Sequence, residues 1–351
     1  MKPLRAFRKT MTILGIALGV AVGLCLLPEN PYQRWKLLDG TIHSRSRWIY
    51  ERVHFDPEPI DVVFVGPSRI GADVNAPRLG AALAARGLPS NVVNFALPET
   101  GRNINDVIVR ELLKTKRPKL IVIGVIEKPS RLGHSAFKYI APRGMVAWPG
   151  YLGDLNYFSD LIYLPFRQLK LFEAWLAPGV FGPSDAFDPG AYRGHSVNTT
   201  GDVVLPDGTI KNGTYPASHE ELMRGVRKLE RGMHPPVLPR RFADLEFGDE
   251  RHYIRNIVEQ ARAHGVKVAF LALPYYTGPT TVQEAPFYRA YGPLWNAGFV
   301  HDHAELYEDY GHLTADGAKI VTDWLVGPVS QMLQGERQAP PTSGAPQTTN
   351  R

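Results

Sequence analysis

Short apolar runs alternate with segments of helical spacing along this 351-residue chain, and that alternation constrains the fold more than any other feature. Three strands are predicted because residues 61–65, 91–95 and 120–126 are brief apolar runs rich in β-branched residues. Residues 76–86 and 104–114 repeat apolar side chains at helical spacing and predict the helices between those strands. A β-α-β-α-β order favours a parallel sheet with helices on both faces. We therefore expect a three-layer α/β/α fold with a mainly parallel sheet.

The same alternation resumes near residue 250 and ends near residue 334. A helix is predicted over residues 250–264, a strand over 266–273 and a closing helix over 314–333. The stretch between the two halves, about residues 128–248, is irregular and rich in Gly, Pro and aromatic residues, and it is too long for a passive loop. We expect one α/β domain over residues 61–334, interrupted by an insertion that forms a lid or a subdomain.

Two further segments flank the domain. Residues 28–60 are polar and aromatic and are predicted to be a connector. Residues 335–351 consist mainly of Gln, Pro, Thr and other polar or small residues, so they cannot bury enough apolar surface to fold, and we predict a disordered tail.

The N-terminus predicts a membrane anchor. Residues 11–27 are uncharged and apolar, and at roughly 1.5 Å per residue they just cross a bilayer core. Four basic residues and no acidic one lie in residues 1–10, which favours a cytoplasmic N-terminus and a domain on the extracytoplasmic (periplasmic) side. A cleaved signal peptide is the alternative, but no Ala-x-Ala pattern follows, and we favour an uncleaved single-pass anchor in the cytoplasmic membrane. Cys25, the only cysteine, is then an apolar filler within the span.

Composition and motifs exclude several classes of protein. The net charge of +6 is spread among acidic residues without a long basic run, so nucleic acid is not indicated as a partner. The chain contains no Walker loop, no G-x-G-x-x-G motif and no H-E-x-x-H motif. His301-Asp302-His303 could offer two imidazoles to a metal, but no third ligand is identifiable and an exposed polar loop is the simpler interpretation. We predict neither a cofactor nor a metal ion.

A serine follows the first predicted strand. Ligands of open parallel sheets gather beyond the carboxyl ends of the strands, and Ser68 lies directly after the strand and the Gly66-Pro67 turn. Gly66 permits close backbone approach, and Pro67 stiffens the turn that presents the hydroxyl. A helix N-cap or turn residue is the alternative role for this serine.

A serine nucleophile needs a histidine base and a group that orients the base. Asp309 and His312 lie three residues apart in a turn-prone stretch directly before the closing helix. One tight turn could set the carboxylate against the imidazole and leave the second ring nitrogen facing Ser68. The alternative is that both residues only solvate a loop, while Thr314 caps the helix in either case.

These residues resemble the sequence blocks of the SGNH (GDSL-like) hydrolase superfamily. Gly66-Pro67-Ser68 is similar to the block that carries the nucleophile, and Asp309-Tyr310-Gly311-His312 is similar to the Asp-x-x-His block before the last helix. Gly101, after the second strand, corresponds to the glycine whose backbone N–H contributes to the oxyanion hole. The resemblance implies an SGNH-hydrolase-like, flavodoxin-like fold in which Ser68, His312 and Asp309 form a triad and the N–H groups of Ser68 and Gly101 bind the oxyanion.

The third block departs from the family pattern. Gly-x-Asn-Asp would follow the third strand, but the chain reads Gly124-Val125-Ile126-Glu127 there and has no asparagine. The side-chain donor of the oxyanion hole is therefore unassigned. Ser130, Arg131 and His134 are the candidates that follow, whereas an ionised Glu127 cannot donate a hydrogen bond.

The layout of anchor, domain and insertion resembles membrane-anchored SGNH proteins of bacterial polysaccharide O-acetylation and teichoic-acid D-alanylation. This resemblance implies an acyltransferase or esterase that acts on acyl groups, O-acetyl in particular, of a cell-surface polysaccharide. It also implies a membrane-bound O-acyltransferase as partner. The alternative is a non-catalytic SGNH-fold scaffold or glycan-binding component of a membrane acylation complex, which the missing asparagine favours and the Ser68, His312 and Asp309 set opposes.

Overall fold

The computed structural model describes residues 2–200, 202–204, 210–212 and 215–335. The predicted tail lies outside the described residues from position 336 onward. The helices are α1 Lys2–Cys25, α2 Pro31–Trp35, α3 Arg45–His54, α4 Ser68–Asp73, α5 Ala76–Ala84, α6 Asn103–Thr115, α7 Phe137–Ile140, α8 Arg143–Ala147, α9 Tyr157–Leu176, α10 His219–Arg231, α11 Ala243–Glu246, α12 Gly248–Ala263, α13 Ala285–Arg289 and α14 Ala315–Gln334. The strands are β1 Val62–Val65, β2 Val92–Asn94, β3 Leu120–Val125, β4 Asp202–Val204, β5 Ile210–Asn212, β6 Lys267–Ala272 and β7 Leu294–Asn296. Short 3-10 turns cover Arg240–Phe242, Gly298–Val300 and Ala304–Leu306.

Five of these strands form one parallel sheet in the order β2-β1-β3-β6-β7. Val62 of β1 pairs with Val92 of β2 on one side and with Leu120 of β3 on the other. All residues of β1 and β3 are buried, as expected for central strands of a parallel sheet. The predicted α/β class with a parallel sheet is confirmed. The fifth strand, β7, was not predicted because it is short and only partly buried, and therefore carries no clear apolar run.

Apolar clusters lie on both faces of the sheet. Val63 and Val65 belong to one buried cluster, whereas Val62 and Phe64 belong to the other, because successive side chains of a strand point to opposite faces. Helices α6 and α12 contact each other and contribute to the first cluster. Helices α5 and α14 contact each other and contribute to the second.

The predicted connector packs into the domain. Within residues 28–60, the indole rings of Trp35 and Trp48 are fully buried in the first cluster. The buried guanidinium of Arg52 donates hydrogen bonds to three backbone carbonyl groups, those of Glu58, Pro59 and His195. This segment therefore belongs to the folded core and is not a free linker.

The insertion contains more regular structure than its composition predicts. Helix α9 has 20 residues, and α10 begins with a capping box in which Ser218 and Glu221 bond to each other's backbone N–H groups. The Ser-x-x-Glu spacing of that box was visible in the sequence. Helix α9 was not predicted from the sequence. It contains Pro165 and has apolar residues on several sides, so its amphipathic pattern is weak.

Helix α1 begins at Lys2, so the basic segment is helical together with the apolar one. Within α1, residues 7–25 are long and apolar enough to cross a membrane, and none of that window is buried inside the protein. The end of α1 packs against α9. Cys25 is partly buried at that end.

Candidate active site

Ser68 is the first residue of α4, directly beyond the carboxyl end of β1. Gly66 has φ +155°, and a Cβ atom there would lie 2.9 Å from a side-chain carbon of Ile70 and 3.1 Å from the Gly124 Cα, so a larger residue would push β1, α4 and β3 apart. The N-cap of α4 is Pro67, and no side chain caps this helix. The Ser68 hydroxyl is therefore not a cap and is available for another partner.

That partner is His312. The Nε2 atom of His312 lies 2.8 Å from the Ser68 Oγ, and its Nδ1 atom lies 2.9 Å and 3.0 Å from the two carboxylate oxygens of Asp309. The imidazole is 18% exposed and the Asp309 side chain 28% exposed. Although 244 positions separate Ser68 from His312, the three side chains form one continuous hydrogen-bonded chain at the end of the sheet.

The turn that carries Asp309 holds the carboxylate in place. Its Oδ1 atom accepts hydrogen bonds from the backbone N–H groups of Gly311 at 2.7 Å and His312 at 2.9 Å. Thr314 caps α14 through its side chain, which accepts a hydrogen bond from the Gly317 N–H. This turn is therefore rigid on both sides of the imidazole.

The environment shifts the pKa of His312 above its usual value. Burial lowers this pKa, but the hydrogen bond and negative charge of Asp309 oppose burial and prevail, with a smaller contribution from Asp73. A neutral imidazole can accept the proton of Ser68, whereas the imidazolium that results is stabilised by Asp309. The Asp309 carboxylate that is hydrogen-bonded to the imidazole thus also raises its pKa.

Asp73 is the last residue of α4 and contacts the turn that carries His312. Its carboxylate accepts a hydrogen bond of 2.9 Å from the Leu313 N–H, next to His312. The side chain is buried, and burial raises the pKa of Asp73 to about 7 although His312 and Arg69 oppose the shift. Asp73 therefore links α4, which carries Ser68, to the turn that carries His312.

We expect Asp73→Asn to stabilise the protein at neutral and alkaline pH. The folded-state pKa of about 7 exceeds the usual 3.8, so the stability gained by burying the neutral acid is complete below about pH 4. It is lost as the pH rises to about 7. The amide still accepts from Leu313 but does not ionise, so the gain in free energy of unfolding should grow over that window to at most about 4 kcal/mol. Denaturant unfolding of both proteins near pH 4 and near pH 8 tests this, and an equal difference at the two pH values would contradict it.

Gly101 lies in the loop between β2 and α6, beside the Gly66-Pro67 turn that precedes Ser68. Its φ is +136°, and a Cβ atom there would lie 2.2 Å from the backbone nitrogen of His134, so only glycine fits. Gly101 lines one small cavity together with Gly66, Pro67 and Ile126. Within the described part of the chain, the backbone N–H of Gly101 donates to no other backbone group.

The three candidate side-chain donors that follow β3 are engaged elsewhere. The Ser130 hydroxyl donates to the Leu132 carbonyl at 2.8 Å, and Arg131 pairs with Glu246 at 2.5 Å. The Nε2 atom of His134 lies 2.5 Å from the Pro98 carbonyl oxygen, and its Nδ1 atom accepts a hydrogen bond from the Ala136 N–H. Burial, with His43 nearby, lowers the pKa of His134 to about 3, so this ring is neutral. Ser130 and His134 line the cavity at Gly101, but their donor groups bind these backbone carbonyls.

Asn105 offers a donor to this cavity that the sequence did not reveal. Its side chain is buried and its Oδ1 atom accepts a hydrogen bond of 2.9 Å from Arg102. Its Nδ2 atom is buried and has no hydrogen-bond partner among the described residues, and Asn105 lines the same cavity as Gly101 and Pro67. The only hint in the sequence is the polar stretch at the start of α6, Asn103-Ile104-Asn105-Asp106, which is buried throughout.

Two buried ion pairs brace the ends of the strands. Arg102 pairs with Glu250 of α12 at 2.8 Å and also donates to the Gly124 carbonyl at 2.9 Å. Arg69 pairs with Glu127 at 2.6 Å and donates to the Leu273 carbonyl at 3.2 Å. These two ion pairs and the associated hydrogen bonds connect the loops that follow β1, β2, β3 and β6. Glu127 accepts a hydrogen bond from Arg69, as expected for an ionised carboxylate.

Metal-ligating residue types occur at two places among the described residues. Glu308, Asp309 and His312 form one group, which overlaps the triad. His43, Glu99 and His134 form the other, but both ring nitrogens of His134 already bond to the backbone. The motif His301-Asp302-His303 lies in neither group, and its side chains contact neighbouring acidic groups or backbone.

The comparisons with known proteins leave the family open. No family model matches the chain, and no curated protein matches it significantly. The functional argument therefore depends on the geometry of the site itself.

Proposed function

We propose that this protein is a membrane-anchored, extracytoplasmic serine acyltransferase or esterase of the SGNH type. The observation that carries the proposal is the continuous hydrogen-bonded chain from the Ser68 hydroxyl through His312 to the Asp309 carboxylate. A base at hydrogen-bond distance activates a serine hydroxyl, and a carboxylate on the second ring nitrogen orients that base. These roles together define acyl transfer through a covalent acyl-serine.

In the first half-reaction, Ser68 Oγ attacks the carbonyl carbon of an acyl ester while His312 Nε2 takes the hydroxyl proton. The tetrahedral intermediate carries its negative charge on the former carbonyl oxygen, which the N–H groups of Ser68 and Gly101 stabilise. The intermediate then collapses, the ester C–O bond breaks, and His312 returns the proton to the departing alcohol. The acyl group remains on Ser68.

In the second half-reaction, His312 removes a proton from an acceptor hydroxyl, whose oxygen attacks the carbonyl carbon of the acyl-serine. The bond between that carbon and Ser68 Oγ then breaks, and His312 returns the proton to Ser68 Oγ. Water as acceptor gives a carboxylic acid and an esterase, whereas a sugar hydroxyl gives a new ester and a transferase. We propose a cell-surface polysaccharide as the acylated partner, with O-acetyl as the acyl group. A membrane-bound O-acyltransferase would supply the acyl group if the direction is transfer onto the polymer.

The fold and the N-terminus support this assignment. Apolar clusters on both faces of the parallel sheet are consistent with a three-layer SGNH-like arrangement. An N-terminal helix long and apolar enough to cross a membrane supports an anchor in the cytoplasmic membrane, and the basic residues before it favour a periplasmic domain.

Covalent labelling followed by a chase tests the function. The full-length protein in detergent should react with a fluorophosphonate probe and should form an acyl-serine from an activated acetyl ester. Release of the acetyl group to added O-deacetylated polysaccharide faster than to water would identify a transferase, and release to water alone would identify an esterase. No reaction with either reagent would instead favour the non-catalytic scaffold.

We predict that Asn105 completes the oxyanion hole in place of the missing asparagine after β3. Asn105→Asp keeps an oxygen for Arg102 but removes the Nδ2 donor, so kcat should fall on the order of 100-fold while KM changes little. Steady-state hydrolysis of an acyl ester measures both constants. The melting temperature of the variant serves as the control, and a kcat equal to that of the wild type would exclude Asn105 from this role.

A further inference from the structure

Exposed apolar side chains are concentrated in one stretch of the domain. Of the twenty large apolar side chains that are exposed in the described chain after residue 27, eleven lie within residues 148–181. Most soluble surfaces scatter such residues singly, and a contiguous apolar patch marks an interaction site. Six of these eleven side chains lie on helix α9.

Helix α9 has two apolar faces. Leu164 and Leu171 face inward and are buried. Phe158, Ile162 and Phe166 recur every four residues on the opposite side and are 71%, 68% and 67% exposed. Residues four apart lie on one face of a helix, so these rings and branched chains form a continuous outward stripe.

Helix α9, which carries this stripe, contacts the N-terminal helix α1. The end of α1 packs against α9, and Glu29, just after α1, lies 4.0 Å from the buried guanidinium of Arg167 in α9. Arg143 donates a hydrogen bond of 3.0 Å to the Leu27 carbonyl, which also lies just beyond α1. The point at which α1 would leave the bilayer is therefore attached to α9 by packing and charge, and to α8, which packs against α9, by a hydrogen bond.

We propose that the exposed face of α9 lies in the outer interfacial layer of the same bilayer that α1 crosses. An amphipathic helix beside a span buries its apolar face about 5–10 Å into the boundary between headgroups and acyl chains. Trp175 at the end of α9 and Trp148 before it are exposed, and tryptophan prefers this layer. Because α9 contacts the helix that the proposed anchor places in the bilayer, lipid is the occupant that the stripe would meet first.

This second contact orients the active site relative to the membrane. The segment before α9 is tied to the loop beside Gly101, since Asn156 donates to the Gly133 carbonyl at 2.8 Å and the Gly133 N–H donates to Asp154 at 2.8 Å. A single span leaves a domain free to rotate, whereas a span and an interfacial helix together restrict it. The cavity at Gly101 is then held at a set distance from the bilayer.

Depth-dependent quenching in full-length protein tests the proposal. In a Cys25→Ala background, an environment-sensitive fluorophore is attached to Leu18→Cys in α1, Phe166→Cys in α9 or Ile320→Cys in α14. Ile320 is an exposed apolar residue, 44% exposed, on a helix of the opposite apolar cluster, so it is the matched control. The proteins are reconstituted in phosphatidylcholine and phosphatidylglycerol vesicles with or without nitroxide-labelled acyl chains.

The labels at positions 18 and 166 should lose about half or more of their fluorescence to the nitroxide lipids, and the label at 320 should lose little. Equal and weak quenching at 166 and 320 would overturn the proposal. The stripe would then be exposed to water, covered by a second copy of the chain or bound by another membrane protein. The inference rests on the proposed anchor and not on acyl transfer. Absence of quenching at 18 would overturn anchor and stripe together, while fluorophosphonate labelling of the same samples reports on the catalytic proposal separately.

Discussion

Ser68→Ala is expected to lower kcat/KM for ester hydrolysis on the order of 10⁴-fold or more and to abolish fluorophosphonate labelling. The hydroxyl that His312 holds at 2.8 Å is the only nucleophile in the proposed mechanism, so its loss leaves only transition-state binding by the oxyanion donors. Chromogenic ester hydrolysis and gel-based labelling measure the two effects. Ser184→Ala, an exposed serine in the insertion, is the matched control and should retain both activities.

The two outcomes separate the candidate functions. An enzyme requires that the native chain react and that the Ser68→Ala variant fail to react, with unchanged melting temperature. Equal labelling of the two proteins would mean that another residue reacts, and it would remove the basis of the acyltransferase proposal. If the native protein does not react with the fluorophosphonate, the non-catalytic scaffold would be favoured, and the arrangement of Ser68, His312 and Asp309 would have no catalytic role.

Asp309→Asn is expected to lower kcat by about 10³–10⁴-fold and to move the acid limb of the pH profile to lower pH. In the native protein Asp309 raises the pKa of His312 above 6.5 against the effect of burial. Because His312 must be neutral to accept a proton, activity falls as the pH drops through that raised value. Without the carboxylate the pKa of His312 falls, so the remaining activity persists to more acidic pH.

A profile of kcat/KM from about pH 4 to about pH 9 measures both effects. Asp302→Asn is the matched control, since Asp302 is an acidic residue nearby in the chain whose side chain is 65% exposed. An acid limb at the same pH in native and Asp309→Asn proteins would show that Asp309 does not set the basicity of His312. Loss of activity in the Asp302→Asn variant would indicate that any change in this segment disrupts the turn.

Local patterns in the sequence were sufficient for the elements that alternate in the sheet. The apolar runs of β1, β3 and β6 and the helices α5, α6, α12 and α14 were predicted to within a few residues of their bounds. Each of these elements shows either a helical repeat of apolar residues or a continuous apolar run, because its side chains are buried in that pattern. The pattern is therefore readable from residues that are neighbours in the chain. The positions of Ser68, Asp309 and His312 relative to these elements could be predicted for the same reason.

Other features depend on partners distant in the chain. The burial of Trp35 and Trp48 was not predicted, because their contacts come from elsewhere in the domain. In the sequence, Asn105 is only one polar residue of a predicted helix. In the structure, it lines a cavity together with Gly101 of the loop after β2 and Ile126, which follows β3. The sequence of α9 is apolar on two sides, so it does not show which side is exposed. The structure shows that Leu164 and Leu171 are buried and that Phe158, Ile162 and Phe166 are exposed.

The class of fold and the placement of Ser68, Asp309 and His312 next to the ends of predicted strands and helices follow from local patterns, because periodicity and turn chemistry depend on neighbours in the chain. The distance of 2.8 Å between Ser68 Oγ and His312 Nε2 depends instead on how distant parts of the chain pack together. Parallel strands place all their carboxyl ends at one edge, and the packing of α14 against α4 brings the loop before α14 close to the loop after β1 there. Packing also determines that Ser130 and His134 donate to backbone carbonyls, whereas the Asn105 Nδ2 group beside the cavity has no partner among the described residues. Hydrogen bonds between distant segments leave no pattern in the sequence, so these partners could not be predicted.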